Sequence, residues 1–218
     1  MPKVQRRGFI LSLAVLAVFL AGLVLWLLHS RPPFDPAALA EAERGMWQDY
    51  YSGRKARLGL KLIAMLRRYY GLTTAEATKI GECLADSAMT FRTARGNYEQ
   101  KCLPSLKEAY RRIKQATGAS FDADAVARAE LTWWITRRTP GHNSPEQVGA
   151  EIGKLYALLY GGAHPAFVRA GVLRAEAAAL RREGGDQADW KCIEELLFES
   201  YRELEKGKKA VSQVQKGV

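Results

Sequence analysis

Two glutamates stand in matching surroundings. Glu43 belongs to Ala40-x-Ala42-Glu43-x-x-Met46-Trp47, and Glu130 to Ala127-x-Ala129-Glu130-x-x-Trp133-Trp134, 87 residues further on. On a helix each carboxylate falls about one turn before a tryptophan (Trp47, Trp134), on a face otherwise built of alanine. There an ion loses its water on folding and needs a partner. A symmetric pair of acids could line a ligand or metal site between helices. Carboxylate-bridged metal sites in helical bundles, however, use Glu-x-x-His, and no histidine follows either glutamate at that spacing. The competing reading is structural, with each acid paired to a basic or donor side chain. Tyr110-Arg111 and Tyr201-Arg202 also recur, and a guanidinium offers a planar fork to a carboxylate. The expected partners are therefore Arg111 and Arg202. Glu43, Trp47, Arg111, Glu130, Trp134 and Arg202 make up the candidate set.

Other chemistries lack the residues they need. His29, His142 and His164 are never three or four apart, which excludes a His-x-x-x-His zinc helix. Cys83, Cys102 and Cys192 form no Cys-x-x-Cys, and an odd count makes no disulfide framework. Ser87, Ser105 and Ser200 carry no nucleophile signature. Gly161-Gly162 and Gly184-Gly185 follow helices rather than strands, unlike a phosphate loop. No cofactor is expected. The tryptophans and tyrosines come at helical spacing, which fits core packing before it fits a glycan or peptide groove.

The elements that would position these residues are all helices. Asp35-Pro36, Thr73-x-x-Glu76, Asp122 and Ser144-Pro145-x-Gln147 are N-terminal signals. Gly71, Pro140-Gly141, Gly161-Gly162 and Gly184-Gly185 are stops. Asn97-x-x-Gln100 is expected to cap a further helix, Pro104 to kink or restart it, and Asp186 to cap the last. No stretch alternates with period 2 long enough to argue a strand. The signals come twice. Leu58-Gly59 answers Val148-Gly149, Tyr70-Gly71 answers Tyr160-Gly161, Gly81 answers Gly171, and Lys101-Cys102 answers Lys191-Cys192, all at an offset of 90. The expected fold is all-α, about eight helices, an internal duplication of a four-helix unit at 37–117 and 124–207, with a basic flexible tail at 208–218.

Ahead of this domain, after a short segment 1–7, the run 8–28 has no charged residue and Ser12 as its one ordinary polar side chain. Twenty-one residues at ~1.5 Å each match the hydrocarbon thickness of a bilayer. The run is longer than the core of a secretory signal, and no Ala-x-Ala cleavage site follows it. A single-pass anchor to the lipid bilayer is expected, joined to the domain by a linker at 29–36. Lys3, Arg6 and Arg7 precede the run, which places the N-terminus in the cytoplasm and the domain outside, in the periplasm if the cell is bacterial.

Beyond the run stand 30 basic residues against 23 acidic ones, a net +7. A basic surface suits another envelope protein, an acidic polymer or anionic lipid, and an extracytoplasmic position argues against nucleic acid as a partner. The expected role is a membrane-anchored helical interaction or scaffold domain. The alternative is an envelope enzyme or small-ligand-binding domain with its site between the two units.

Overall fold

The computed structural model describes residues 33–217. The expected anchor at 8–28 lies outside the described residues. Among those described, no helix is long and apolar enough to cross a membrane, and there is no strand.

Eight α-helices follow one another: α1 (Pro36–Tyr51), α2 (Lys55–Tyr70), α3 (Thr74–Thr93), α4 (Tyr98–Thr117), α5 (Ala123–Arg138), α6 (Pro145–Tyr160), α7 (Pro165–Gly184) and α8 (Trp190–Lys216). A short 3-10 turn (Gly185–Gln187) precedes the last. The lengths of α1–α4 are 16, 16, 20 and 20 residues, and those of α5–α8 are 16, 16, 20 and 27.

Most ends are set locally. The carboxylates of Asp35 and Asp122 accept from the first free N–H groups of α1 and α5. Thr73 with Glu76, and Ser144 with Gln147, close reciprocal capping boxes on α3 and α6. Gly71 and Gly161, with φ of 66° and 78°, turn the chain out of α2 and α6 in a conformation that a side chain would resist.

Each helix packs against the one before and the one after it, and α8 packs back against α1, so the ring closes. The first helix of each half therefore lies beside the fourth helix of the other half. α1 meets α8, and α5 meets α4. This differs from two separate four-helix bundles, in which α1 would pack on α4. The core is made of four buried clusters linked by partly buried Tyr110, Trp133 and Tyr201, with Ile80, Leu106, Val126, Leu131, Val148, Phe167, Ile193 and Leu197 among its fully enclosed side chains.

The two halves are packed unequally. A Cβ added to Gly149 of α6 would fall 2.5 Å from the Val172 backbone nitrogen, and one on Gly171 of α7 would fall inside the Gly149 carbonyl. α6 and α7 therefore cross with their backbones in contact. The matching residues on α2 and α3 do not. A Cβ on Gly59 would meet nothing within 4 Å, and one on Gly81 only the side chains of Ile63 and Leu62, at 3.7 Å. α2 stands off from α3.

Four local expectations need correction. α4 does not restart at Pro104 but continues through it as one helix. The carbonyl that loses its donor there belongs to Gln100, which is exposed, so water can serve it. Asn97 precedes α4 at φ 51° but makes no side-chain cap. α8 is capped by Asp189, whose carboxylate accepts from Lys191 and Cys192 N–H, while Asp186 lies in the preceding 3-10 turn. Residues 208–216 are helical rather than a flexible tail. The ring of Phe167 packs where Gly207 lacks a Cβ, Val211 is buried, and Lys208 Nζ lies 4.2 Å from the Phe34 ring centre.

Candidate functional site

Both glutamates point into the ring, and each is met by a tyrosine from the other half. Tyr201 of α8 donates its hydroxyl to Glu43 Oε2 at 2.6 Å. Tyr110 of α4 donates to Glu130 Oε2 at 3.2 Å. The exchange follows from the closure of the ring, which sets each first helix against the other half's fourth.

The same exchange recurs at the end of the ring where α1 and α5 finish. Arg138, the last residue of α5, stacks 3.9 Å from the Phe91 ring centre and 5.8 Å from that of Tyr98, the first residue of α4. Arg181 of α7 stacks 4.1 Å from the ring of Tyr51, the last residue of α1, and 5.4 Å from that of Trp190, the first residue of α8. Corresponding slots hold a cation and an aromatic ring in both halves, with the two roles swapped.

Arg111 and Arg202 are not the partners of the glutamates. Arg111 is exposed and pairs with Glu108 and Asp124, and Arg202 is exposed and pairs with Glu199. Successive helical residues point about 100° apart. When Tyr110 and Tyr201 face inward, the arginines after them face out.

The cation that does enter the ring is Arg174 of α7, which grips Glu43 through both terminal nitrogens. Nη1 donates to Oε2 at 2.9 Å, and Nη2 meets Oε1. Glu43 is 3% exposed. Burial works against the charge on Arg174, yet the carboxylate of Glu43 keeps its pKa above the ordinary arginine value. Burial, reinforced by Glu43, pushes the Tyr201 hydroxyl well up, so it stays a donor.

Glu130 has no such fork. Shifting Arg174 back by the 90-residue offset gives Leu84 on α3, an apolar residue. Glu130 is half-buried and is held by hydrogen-bond donors alone, Trp134 Nε1 at 3.0 Å on Oε1 and Tyr110 on Oε2. Burial raises its pKa, and the indole of Trp133, the charge of Arg174 in the same cavity wall, Tyr110 and Trp134 offset this only in part. The Trp133 indole N–H is itself buried without a partner in hydrogen-bond geometry among the described residues. The two halves are thus alike in their acids and tyrosines and unlike in the guanidinium.

A cavity of about 280 Å³ opens beside Glu130. Its walls come from α1, α2, α3, α5 and α7. Aromatic side chains dominate them: Trp47, Tyr50, Tyr51, Phe91, Trp133 and Trp134. Leu58 of α2 and Ala88 of α3 complete one side, Arg137 lies at the exposed rim, and Glu130 and Arg174 supply charge inside. Leu58 lines the cavity from α2, the helix that stands off from α3. Of the candidate residues, Trp47, Glu130 and Trp134 line this space. Glu43 lies behind Arg174, and Arg111 and Arg202 take no part. Arg174 and Phe91 were not singled out from sequence; Tyr110, Tyr201 and Trp133 stand in the recurring motifs, but the arginines were expected as partners of the glutamates. Arg174 does carry a signal, a charge in a slot that is apolar in the other half.

At the edge of the site, Asp49 is fully enclosed at the end of α1. Arg54 Nε donates to it at 2.6 Å, Lys61 Nζ lies 2.6 Å away and Arg57 Nε 3.8 Å. Lys61, then Arg54, hold its pKa below the usual aspartate value. This cluster ties α2 to α1 at the end where the cavity opens. Cys83, Cys102 and Cys192 are free thiols. No protein-family model, curated protein or solved structure matches the chain.

Proposed function

We propose that this chain is a membrane-tethered receptor domain that holds a small ligand in the chamber between its two halves. The observation that carries the reading is Glu130. It is a carboxyl facing a cavity walled by helices of both halves and ringed by aromatic side chains, and among the described residues it makes no ion pair, the Arg174 in the same wall being paired with Glu43. Small-molecule sites are commonly concave and mostly apolar, with a few polar groups that fix orientation. Two further proposals frame it. The domain is a duplicated four-helix unit, supported by the matching helix lengths and the exchanged Glu–Tyr pairs. Residues 8–28 anchor it in the inner membrane with the N-terminus in the cytoplasm, supported by the uncharged run and the basic residues before it.

The test is native mass spectrometry of the full chain extracted from its membrane, beside Ala88→Phe, which fills the chamber from α3. The expected result is a bound small molecule on the wild type that is absent from the variant. Equal spectra from two folded proteins contradict the reading.

A second reading keeps the domain as an interaction module. α2 carries Lys55, Arg57, Lys61, Arg67 and Arg68 and no acid, and Leu60 on it is 68% exposed. A basic amphipathic helix of this kind suits an anionic lipid surface. Co-sedimentation of residues 33–218 with phosphatidylglycerol vesicles but not with phosphatidylcholine vesicles supports it. Equal behaviour with both contradicts it.

A further inference from the structure

The unequal furnishing of two otherwise matching acid sites indicates what the chamber takes. At Glu43 the set is carboxylate, tyrosine hydroxyl and guanidinium. At Glu130 it is carboxylate, tyrosine hydroxyl, indole N–H and an open space, and the sequence counterpart of Arg174 is the apolar Leu84. A carboxylate withdrawn from water without a cation is costly, and a cation supplied from outside lowers that cost. The open space is lined by the rings of Trp47, Tyr50, Phe91 and Trp134; aromatic faces attract positive charge, and Phe91 and Tyr50 each already hold an arginine, Arg138 and Arg92. Resting on the receptor reading above, we infer that the ligand is a small organic cation, a protonated or quaternary amine on an apolar body. Its nitrogen takes the place at Glu130 that Arg174 takes at Glu43.

The other charges near the chamber are consistent with this. The charge of Arg174 is balanced by Glu43. Arg137 sits at the exposed rim, where solvent screens it. Tyr70, Tyr110 and Tyr156 around the carboxyl are kept neutral by burial, which raises all three pKa values. Glu130 is thus the acid in the chamber without a cation of its own.

The test measures binding of three near-isosteric probes to the full chain by calorimetry: phenethylammonium, 2-phenylethanol and 3-phenylpropionate. The inference predicts one site per chain and an affinity for phenethylammonium at least about tenfold above that for either of the others. Glu130→Gln loses about that factor. Trp47→Leu removes one of the rings that line the chamber and loses part of that preference as well, so the outcome does not depend on one variant folding, and circular dichroism confirms which variants fold. Equal or tighter binding of 2-phenylethanol or 3-phenylpropionate overturns the cation assignment and leaves the chamber standing. Binding of phenethylammonium that is unchanged in a folded Glu130→Gln also overturns it. Failure of all three probes to bind overturns the assignment, and the mass-spectrometric comparison with Ala88→Phe then judges the chamber by itself.

Discussion

The hydroxyl of Tyr201 lies 2.6 Å from Glu43, joining the last helix of the domain to the first. Arg174 grips the same carboxylate, so three helices meet on one buried charge. Removing one member of a buried pair leaves the other stranded, at roughly 3–5 kcal/mol. Glu43→Ala is expected to fall in that range, and Glu130→Ala to cost clearly less because no guanidinium depends on it. Urea denaturation of both variants measures this. Equal losses contradict the unequal roles given to the two acids.

The glycines of the two halves offer a sharper contrast. Gly171→Ala drives a methyl into the Gly149 carbonyl, which must force α6 and α7 apart, at about 3 kcal/mol. Gly81→Ala, at the corresponding place on α3, meets only side chains at ordinary distance. It gains the helix preference of alanine, about 0.5–1 kcal/mol. Thermal melts of the two variants should move in opposite directions. A substantial loss in Gly81→Ala indicates that α2 and α3 pack as closely as α6 and α7.

Asp49 and Glu130 titrate with opposite consequences. The pKa of Asp49 is lowered by Lys61 and Arg54, so its stabilisation is present above the unfolded value and is lost as the pH falls through the folded one. The pKa of Glu130 is raised by burial. The folded state then binds the proton more tightly, and stability is lost as the pH rises from the unfolded value through the folded one. Measured between pH 3 and 8, the stability of wild type relative to Asp49→Asn should rise with pH, and that relative to Glu130→Gln should fall. A flat difference for either residue contradicts the charge environment described for it.

Ending the chain at Lys206 removes the last turns of α8. Val211 is buried and Lys208 stacks on Phe34 and Tyr160, so the cut uncovers apolar surface around Phe167. A loss of about 2 kcal/mol or more is expected, read as a fall in melting temperature. An unchanged melt means that these turns contribute nothing to the fold.

Helix identity was legible because it depends on local chemistry: Thr73, Asp122 and Ser144 cap, and Gly71 and Gly161 stop, within a few residues of where they act. The recurrence of Glu43 and Glu130 was legible for the same reason. Ring closure was not, because nothing local says whether a first helix packs on its own fourth helix or on the other half's. That single ambiguity hid the exchanged tyrosines. The choice of Arg111 over Tyr110 failed on geometry, since neighbours on a helix cannot both face inward. The end of α8 was misjudged because its lysines read as a solvated tail, while Gly207 and Val211 between them form a buried seam. Arg174 needed the comparison with Leu84, its apolar counterpart at the 90-residue offset.

Glu130 is the carboxyl at the chamber without an ion-pair partner among the described residues, and a carbon-13 NMR titration of its side-chain carboxyl observes it directly. In the free protein its pKa should lie above the ordinary glutamate value, and saturating phenethylammonium should bring it down as the ammonium fills the empty place. An ordinary value in the free protein, or a raised value that phenethylammonium leaves unmoved, contradicts the account.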